Sequence, residues 1–280
     1  MLRSIVNLEA ESSGWECPGG TGRYRVMHPS IRNEVSRLGD FTGDHYRTCL
    51  TRLHEILKPS AYLEIGSFHG DSQKLAKCAT IAVDPQFQLE YRVPGDSQSA
   101  LCLFQMRSDQ FFKSYDPRAI LGKPIDFAFL DGMHLLECLL RDFIHTERGC
   151  HSRSIIALHD CVPLDLYMAG RTVGDMKRRA LSVHPTWWTG DVWKILLIFR
   201  QYRPDLTVEV LNAPPTGLVL VRGLDPNSGV LADHENEIID RFRDPADERG
   251  LFDRFLSSLE PIDTRRLDEI IYKLPQTQRP

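Results

Sequence analysis

The sequence has no cysteine pair spaced C-x-x-C. Its seven cysteines (Cys17, Cys49, Cys78, Cys102, Cys138, Cys150 and Cys161) are odd in number and scattered. That excludes a zinc ribbon and a disulfide framework, and a reducing compartment is the simplest reading. No run approaches the roughly 20 apolar residues that span a bilayer. Residues 1–10 lack the apolar core of a signal peptide, so a cytoplasmic location and no membrane partner are expected. Neither sign of charge dominates. A net charge of -4 and a pI near 6.2 give no electrostatic reason for a nucleic-acid partner, although Lys177-Arg178-Arg179 forms a local basic run. Internal repeats, long low-complexity tracts and the G-x-G-x-x-G turn of dinucleotide-binding proteins are also missing.

What is there is an ordinary globular composition, with 42% hydrophobic and 26% charged residues over a length of 280, enough for a large core. The chain is organised around Tyr62-Leu63-Glu64-Ile65-Gly66-Ser67-Phe68-His69-Gly70-Asp71-Ser72. There an apolar run ends in an acid and a Gly-x-x-x-Gly turn, and a helix-compatible stretch follows, with Leu75 and Ala76 at helical spacing. Doubly wound α/β domains use this form where a strand delivers the chain to a nucleotide-like ligand. Glycine suits such a turn because it adopts positive φ and lets a ligand approach the backbone.

Upstream, Tyr46, Cys49, Leu50, Leu53, Ile56 and Leu57 recur at helical spacing after Asp44 and before Pro59. Downstream, strands are expected at 80–85, 101–106, 125–130 and 155–158. The run Ile125-Asp126-Phe127-Ala128-Phe129-Leu130 has the near-continuous apolar character of a parallel strand covered on both faces. The β–α alternation from 61 to 160 predicts a parallel sheet with right-handed crossovers and ligands at the carboxyl ends of the strands. Gly66, Asp84, Asp109, Asp131, His134, His159 and Asp160 all fall at that edge. Asp84 lies about 18 residues beyond Gly66, near the offset of about 20 at which a carboxylate reaches ribose hydroxyls; it also has the form of an acid that simply ends a strand. Ser108 and Asp109 are placed to read a base edge or, equally, to cap the next helix. Helices are predicted over 171–181 and 192–202. Strands at 206–211 and 217–221 flank a short connection, which predicts an antiparallel hairpin at the sheet edge.

These stretches together resemble the class I methyltransferases that use S-adenosylmethionine. Leu63-Glu64-Ile65-Gly66-Ser67-Phe68-His69-Gly70, the strand end Ala82-Val83-Asp84, and the pair Phe129-Leu130-Asp131-Gly132-Met133-His134 with Ala157-Leu158-His159-Asp160 carry the likeness. It covers about residues 44–222. The fold class it implies is α/β, a Rossmann-like, doubly wound, mostly parallel seven-stranded sheet with an antiparallel last strand. Residues 1–43 are then an irregular lead-in or lid and 44–224 the S-adenosylmethionine-binding domain. Residues 225–280 form a charged helical extension that packs against the domain or a second subunit. Gly66 and Gly70 are placed at the amino-acid end of the cofactor, Glu64 orients that loop or the ammonium, and Ser67, Asp84, Ser108, Asp109 and Asp131 complete the cofactor set.

Within the class the chain looks most like the cation-dependent O-methyltransferases of the macrolide-sugar and cephalosporin-tailoring type. That resemblance places a divalent cation, magnesium or manganese, on Asp131 and Asp160, and a general base at His134 in the turn Asp131-x-x-His134. The sequence departs from it where His159 replaces a glutamate and Cys161 an oxygen donor. With His159 as a third candidate ligand the site is softer than the oxygen cage magnesium prefers, which also admits manganese, iron, zinc or no metal. The implied partner is a small-molecule hydroxyl acceptor, a sugar, glycoside or related product, with Trp187, Trp188 and Trp193 as aromatic faces for it or as an ordinary hydrophobic cap. His134 and His159 also fit plain structural roles, as a first-turn helix residue and a core imidazole. Two rival functions remain at this point: an NAD-type enzyme on the same sheet, and a non-catalytic assembly protein.

Overall fold

Seven strands form one sheet in the order β3-β2-β1-β4-β5-β7-β6. They are β1 (Ala61–Ile65), β2 (Ala79–Asp84), β3 (Leu101–Gln105), β4 (Ile125–Leu130), β5 (Cys150–His159), β6 (Thr207–Leu211) and β7 (Leu218–Arg222). The computed structural model describes residues 37–89, 100–174 and 176–272, all within the unit Val35–Pro280. Strands β1 to β5 pair in parallel, and β7 runs antiparallel to both β5 and β6. The chain winds outward from β1 through β2 to β3, then returns to lay β4 on the other side of β1. The order reverses between β1 and β4, and in such sheets the crevice outside the carboxyl ends at that point holds the ligand. Ile65 pairs with Leu130 there, so the turn after β1 and the turn after β4 emerge side by side.

Alternating side chains send each strand's apolar residues to two layers. Leu63, Ile65, Ala128, Leu130, Ile156 and Leu158 face a large core under α4 (Leu136–Gly149) and α6 (Lys194–Tyr202). Tyr62, Phe127, Phe129 and Ala157 face a smaller core shared with α1 (Tyr46–Leu57) and, near the C-terminus, residues 267–271. The helices of the C-terminal extension join these layers. Phe242, Phe252 and Phe255 are buried in the large core, and truncating Phe252 or Phe255 to alanine would cost about 3–5 kcal/mol. Of the lead-in expected at 1–43, residues 1–36 lie outside the described residues. Phe41 is buried in the large core and Arg37 bridges to Asp165.

Three local expectations are corrected. After Gly70 only a single 3-10 turn forms, Gln73–Leu75, because the few residues before Ala79 are needed to bring the chain back to the sheet. The helix expected over 171–181 shrinks to Met176–Arg179, since Thr172, Val173 and Gly174 are poor helix formers. The helix expected from 192 starts at Lys194. Among the described residues no helix is long and apolar enough to cross a membrane.

Candidate active site

The turn after β1 is built on Gly66. Its φ is +89°, and a Cβ there would overlap the Asp131 carbonyl and lie 2.7 Å from the Gly132 nitrogen. The glycine is therefore required by the neighbouring strand end, not only by a ligand. Asp131 N donates to the Ile65 carbonyl (2.9 Å) and Gly66 N to the Val83 carbonyl (2.9 Å), which laces the ends of β1, β2 and β4 together. Asp84, buried at the end of β2, accepts from Phe68 N (2.9 Å) and Gln86 N (2.7 Å). It holds the β1 turn in place while its remaining lone pairs stay available.

Glu64 points to the interior. It is fully buried, accepting from the Tyr62 hydroxyl (2.6 Å) and the Ser72 hydroxyl (2.9 Å), and burial outweighs these bonds to push its carboxyl up to about 7. The Ser72 bond ties the turn to the strand. A cavity of about 670 Å³ lies over this edge, lined by Ile65, Gly66, Phe68, Asp84, Ser108, Asp109, Asp131 and Asp142 among others. Of the eight cofactor candidates, Gly66, Asp84, Ser108, Asp109 and Asp131 line it, and Glu64, Ser67 and Gly70 do not. Asp109, at the start of α2 (Ser108–Ser114), is held bidentately by Arg107 (2.9 and 2.6 Å).

Asp131 also belongs to a second arrangement. One ligand atom each from Asp131, His134 and Asp160 lie within 4.8 Å of one another, which is metal-site spacing. His134 Nε2 is 3.3 Å from Asp160 Oδ2 and 3.6 Å from Asp131 Oδ1, while its Nδ1 faces the Trp188 carbonyl at 3.1 Å. Burial opposes a charged His134, but the bond to Asp131 and the charges of Asp160 and Asp131 prevail and raise it to about 9. His159 is the fourth member. Its Nδ1 lies 3.3 Å from Asp131 and 3.5 Å from Asp160, and its ring sits 4.0 Å from that of Tyr46. Against its burial, the same two acids raise its pKa well above the ordinary value. Asp131 and Asp160 are held down despite burial, chiefly by the His159 charge.

Backbone strain marks the same place. Asp160 has φ +56°, a conformation uncommon outside glycine, and is fixed by the Thr216 hydroxyl at 2.5 Å. Both imidazoles thus approach both acids, His134 at 3.6 and 3.3 Å and His159 at 3.3 and 3.5 Å, and the three ligand atoms within 4.8 Å of one another come from Asp131, His134 and Asp160. Cys161 is no part of this cluster: its thiol donates to the His159 carbonyl (3.2 Å), and burial pushes its pKa up.

The turn carrying His134 is clamped by residues that periodicity did not single out. Asp191, fully buried, accepts from Leu136 N (2.9 Å), Arg171 (2.6 Å) and Lys194 (3.3 Å), and Arg171 also donates to Glu137 (2.7 Å). Gly190 has φ +60°, and a Cβ there would overlap the His134 carbonyl. The Trp188 ring stacks on His134 at 5.1 Å. Asp142, on α4, is buried yet lines the cavity; nothing in the sequence pattern marks it, since an acid in an amphipathic helix reads as solvent-facing.

No family model matches the chain, and no curated protein matches it. Among solved structures it is similar to the O-methyltransferase TomG from Streptomyces achromogenes, involved in tomaymycin synthesis and in complex with SAM. That likeness has 15% identity, 64% of this chain, 80% of that chain and a TM-score of 0.44. It is also similar to the S-adenosylhomocysteine-bound methyltransferase PaMTH1 of Podospora anserina, with 14% identity, 64% and 78% coverage and a TM-score of 0.43. A third likeness is to the MycE methyltransferase of the mycinamycin pathway, in complex with Mg, SAH and mycinamycin VI. It has 13% identity and a TM-score of 0.39, and covers 64% of this chain but 49% of that one. The strand order and the antiparallel β7 define the fold as the Rossmann-like arrangement the sequence implied.

Proposed function

We propose that the chain is an S-adenosylmethionine-dependent O-methyltransferase acting on a hydroxyl of a small molecule, with a divalent cation held by Asp131, His134 and Asp160. One observation carries this: Asp131 belongs both to the cavity at the β1/β4 switch point and to the cluster of two carboxylates and an imidazole. A cofactor in that cavity and an acceptor on that cluster would meet at one residue. The cavity's volume suits a ligand of this size. Its acids suit a sulfonium, and Asp84 a ribose diol. The cofactor supplies a methyl group already activated by positively charged sulfur. A cation lowers the pKa of a hydroxyl bound to it.

The chain's own residues do the rest by position. The laced ends of β1 and β4 fix the cavity against the cluster, and holding reactants near 3 Å and in line removes several kcal/mol of barrier. His134 is assigned as a ligand in preference to a base. Its Nδ1 keeps a proton on the Trp188 carbonyl, which leaves Nε2 directed at the two carboxylates, the arrangement of a metal-binding imidazole oriented from behind. One nitrogen with two oxygens favours manganese, iron or zinc over magnesium. Trp188 on His134 and Tyr46 on His159 bring aromatic rings to two sides of the cluster, next to an acceptor held there.

The test is titration calorimetry with S-adenosylhomocysteine, NAD and Mn²⁺ on the wild type, Asp160→Asn and His134→Ala. Saturable S-adenosylhomocysteine binding without NAD binding is expected, with Mn²⁺ binding lost in both variants. NAD binding alone would point to the rival nucleotide enzyme. Mn²⁺ binding kept in His134→Ala, with turnover lost, would make His134 the base instead.

A further inference from the structure

Asp142 is a buried carboxyl for which the mechanism above has no use. It sits in α4, under Gly132, whose added Cβ would lie 3.5 Å from Asp142 Oδ2, and it lines the cavity with Ser108, Cys138 and Arg141. The cavity has three regions. One is the Asp131 end, where the methyl group must meet the acceptor. Another is Asp84, at the end of β2. The third lies between the start of α2 and the cavity-facing side of α4. If the first takes the sulfur and the second the ribose, the base falls in the third. Asp109 faces that region but is committed to Arg107 through both its oxygens and is half exposed.

We propose that the carboxyl group of Asp142 reads the adenine edge, presenting a hydroxyl donor and a carbonyl acceptor side by side to a ring nitrogen and the exocyclic amine. The inference rests on the assignment of this cavity to S-adenosylmethionine. The donor exists only if the group keeps its proton. Burial is the main reason it does: it pushes Asp142 up to about 7 against the bond from Ser108, and the like charge of Asp109 adds to the rise. The charged or titratable groups sharing the cavity are Arg107 before α2 and Asp109 on it, Cys138 and Arg141 on α4, Asp131 after β4 and Asp84 at the end of β2. An ionised Asp142 offers acceptors only, and a ring nitrogen opposite it is left without a donor. An amide at the same place offers donor and acceptor at every pH, whereas an alkyl group offers neither.

The experiment is calorimetric titration of S-adenosylhomocysteine into wild type, Asp142→Asn and Asp142→Leu from pH 6 to 8.5. Wild-type affinity is expected to fall toward about tenfold per pH unit above pH 7, with Asp142→Asn flat over the range. Asp142→Leu should bind roughly tenfold or more weakly at pH 6.5. If Asp142→Leu does not fold, the pH comparison of wild type with Asp142→Asn decides. The inference is overturned, with the cofactor assignment intact, in three cases: flat wild-type binding, Asp142→Leu within twofold of wild type, or the wild-type slope persisting in Asp142→Asn, which would move the titration to Glu64. Failure of the wild type to bind at all overturns both.

Discussion

Replacing Gly66 with alanine strains the close joint between the two strand ends. Two costs arise. The left-handed conformation at φ +89° costs a residue with a Cβ about 1–2 kcal/mol. The added methyl also overlaps the Asp131 carbonyl, which cannot retreat freely because Asp131 N is bonded to the Ile65 carbonyl and Leu130 is paired with Ile65. Overpacking of this kind costs about 1–3 kcal/mol. The sum, about 2–5 kcal/mol, is a large part of the stability of a typical domain, and corresponds to a fall in Tm of roughly 4–20 °C. Gly122→Ala is the internal control: Gly122 has φ +70° but nothing within 4 Å of an added Cβ, so it carries the conformational cost alone. Differential scanning calorimetry of both variants separates the two costs. Calorimetric titration of Gly66→Ala with S-adenosylhomocysteine and Mn²⁺ should show both affinities lowered, since displacing Asp131 disturbs cavity and cluster at once. A Gly66→Ala protein no less stable than Gly122→Ala, with both affinities unchanged, would mean that the two strand ends are not locked together through this residue.

Two further outcomes are expected. His134 is raised to about 9 in the fold against about 6.5 in an unfolded chain, so its stabilisation is complete below about pH 6.5 and lost as pH rises through 9. The metal-free Tm should fall across that window, saturating Mn²⁺ should remove that part of the fall, and Mn²⁺ affinity should rise with pH because the cation displaces the proton. Scanning fluorimetry from pH 6 to 9.5 checks this, and identical profiles with and without Mn²⁺ would contradict it. On α4, Glu147→Gln should cost about 1.5–3 kcal/mol, because Arg203, 1% exposed, donates to both Glu147 oxygens at 2.7 and 2.9 Å and would keep only its pair with Asp205. Urea unfolding measures it, and a loss below about 1 kcal/mol would show the pair to be solvated in solution.

The sheet was legible because its strands are continuous or alternating apolar runs that end in recognisable polar residues. Asp131 and Asp160 stood out for that reason: each is a lone acid where a buried run stops. The partners of these acids were less legible. His134 meets the Trp188 carbonyl 54 residues away, and Asp191 caps α4 from 55 residues beyond, contacts with no local periodicity. Asp142 was hidden because its helix is amphipathic and only the fold shows which side the cavity takes. Gly66 was legible as a special residue for a reason only half right, since the sequence cannot show that its neighbour in space is a carbonyl of another strand end. The helix expected from 171 begins only at Met176, because Thr172, Val173 and Gly174 hold helical geometry poorly.

The segment before α6 is attached to the His134 turn by the Trp188 carbonyl, the Gly190 contact and the Asp191 carboxylate. Wall and ligand therefore behave as one part. A substitution that reshapes the Trp188 wall for a different acceptor must also tilt the imidazole, so on the proposed reading acceptor preference and cation affinity shift together when this segment changes. Screening variants of 187–191 for cation affinity would then find those with altered acceptor preference even before the acceptor itself is identified.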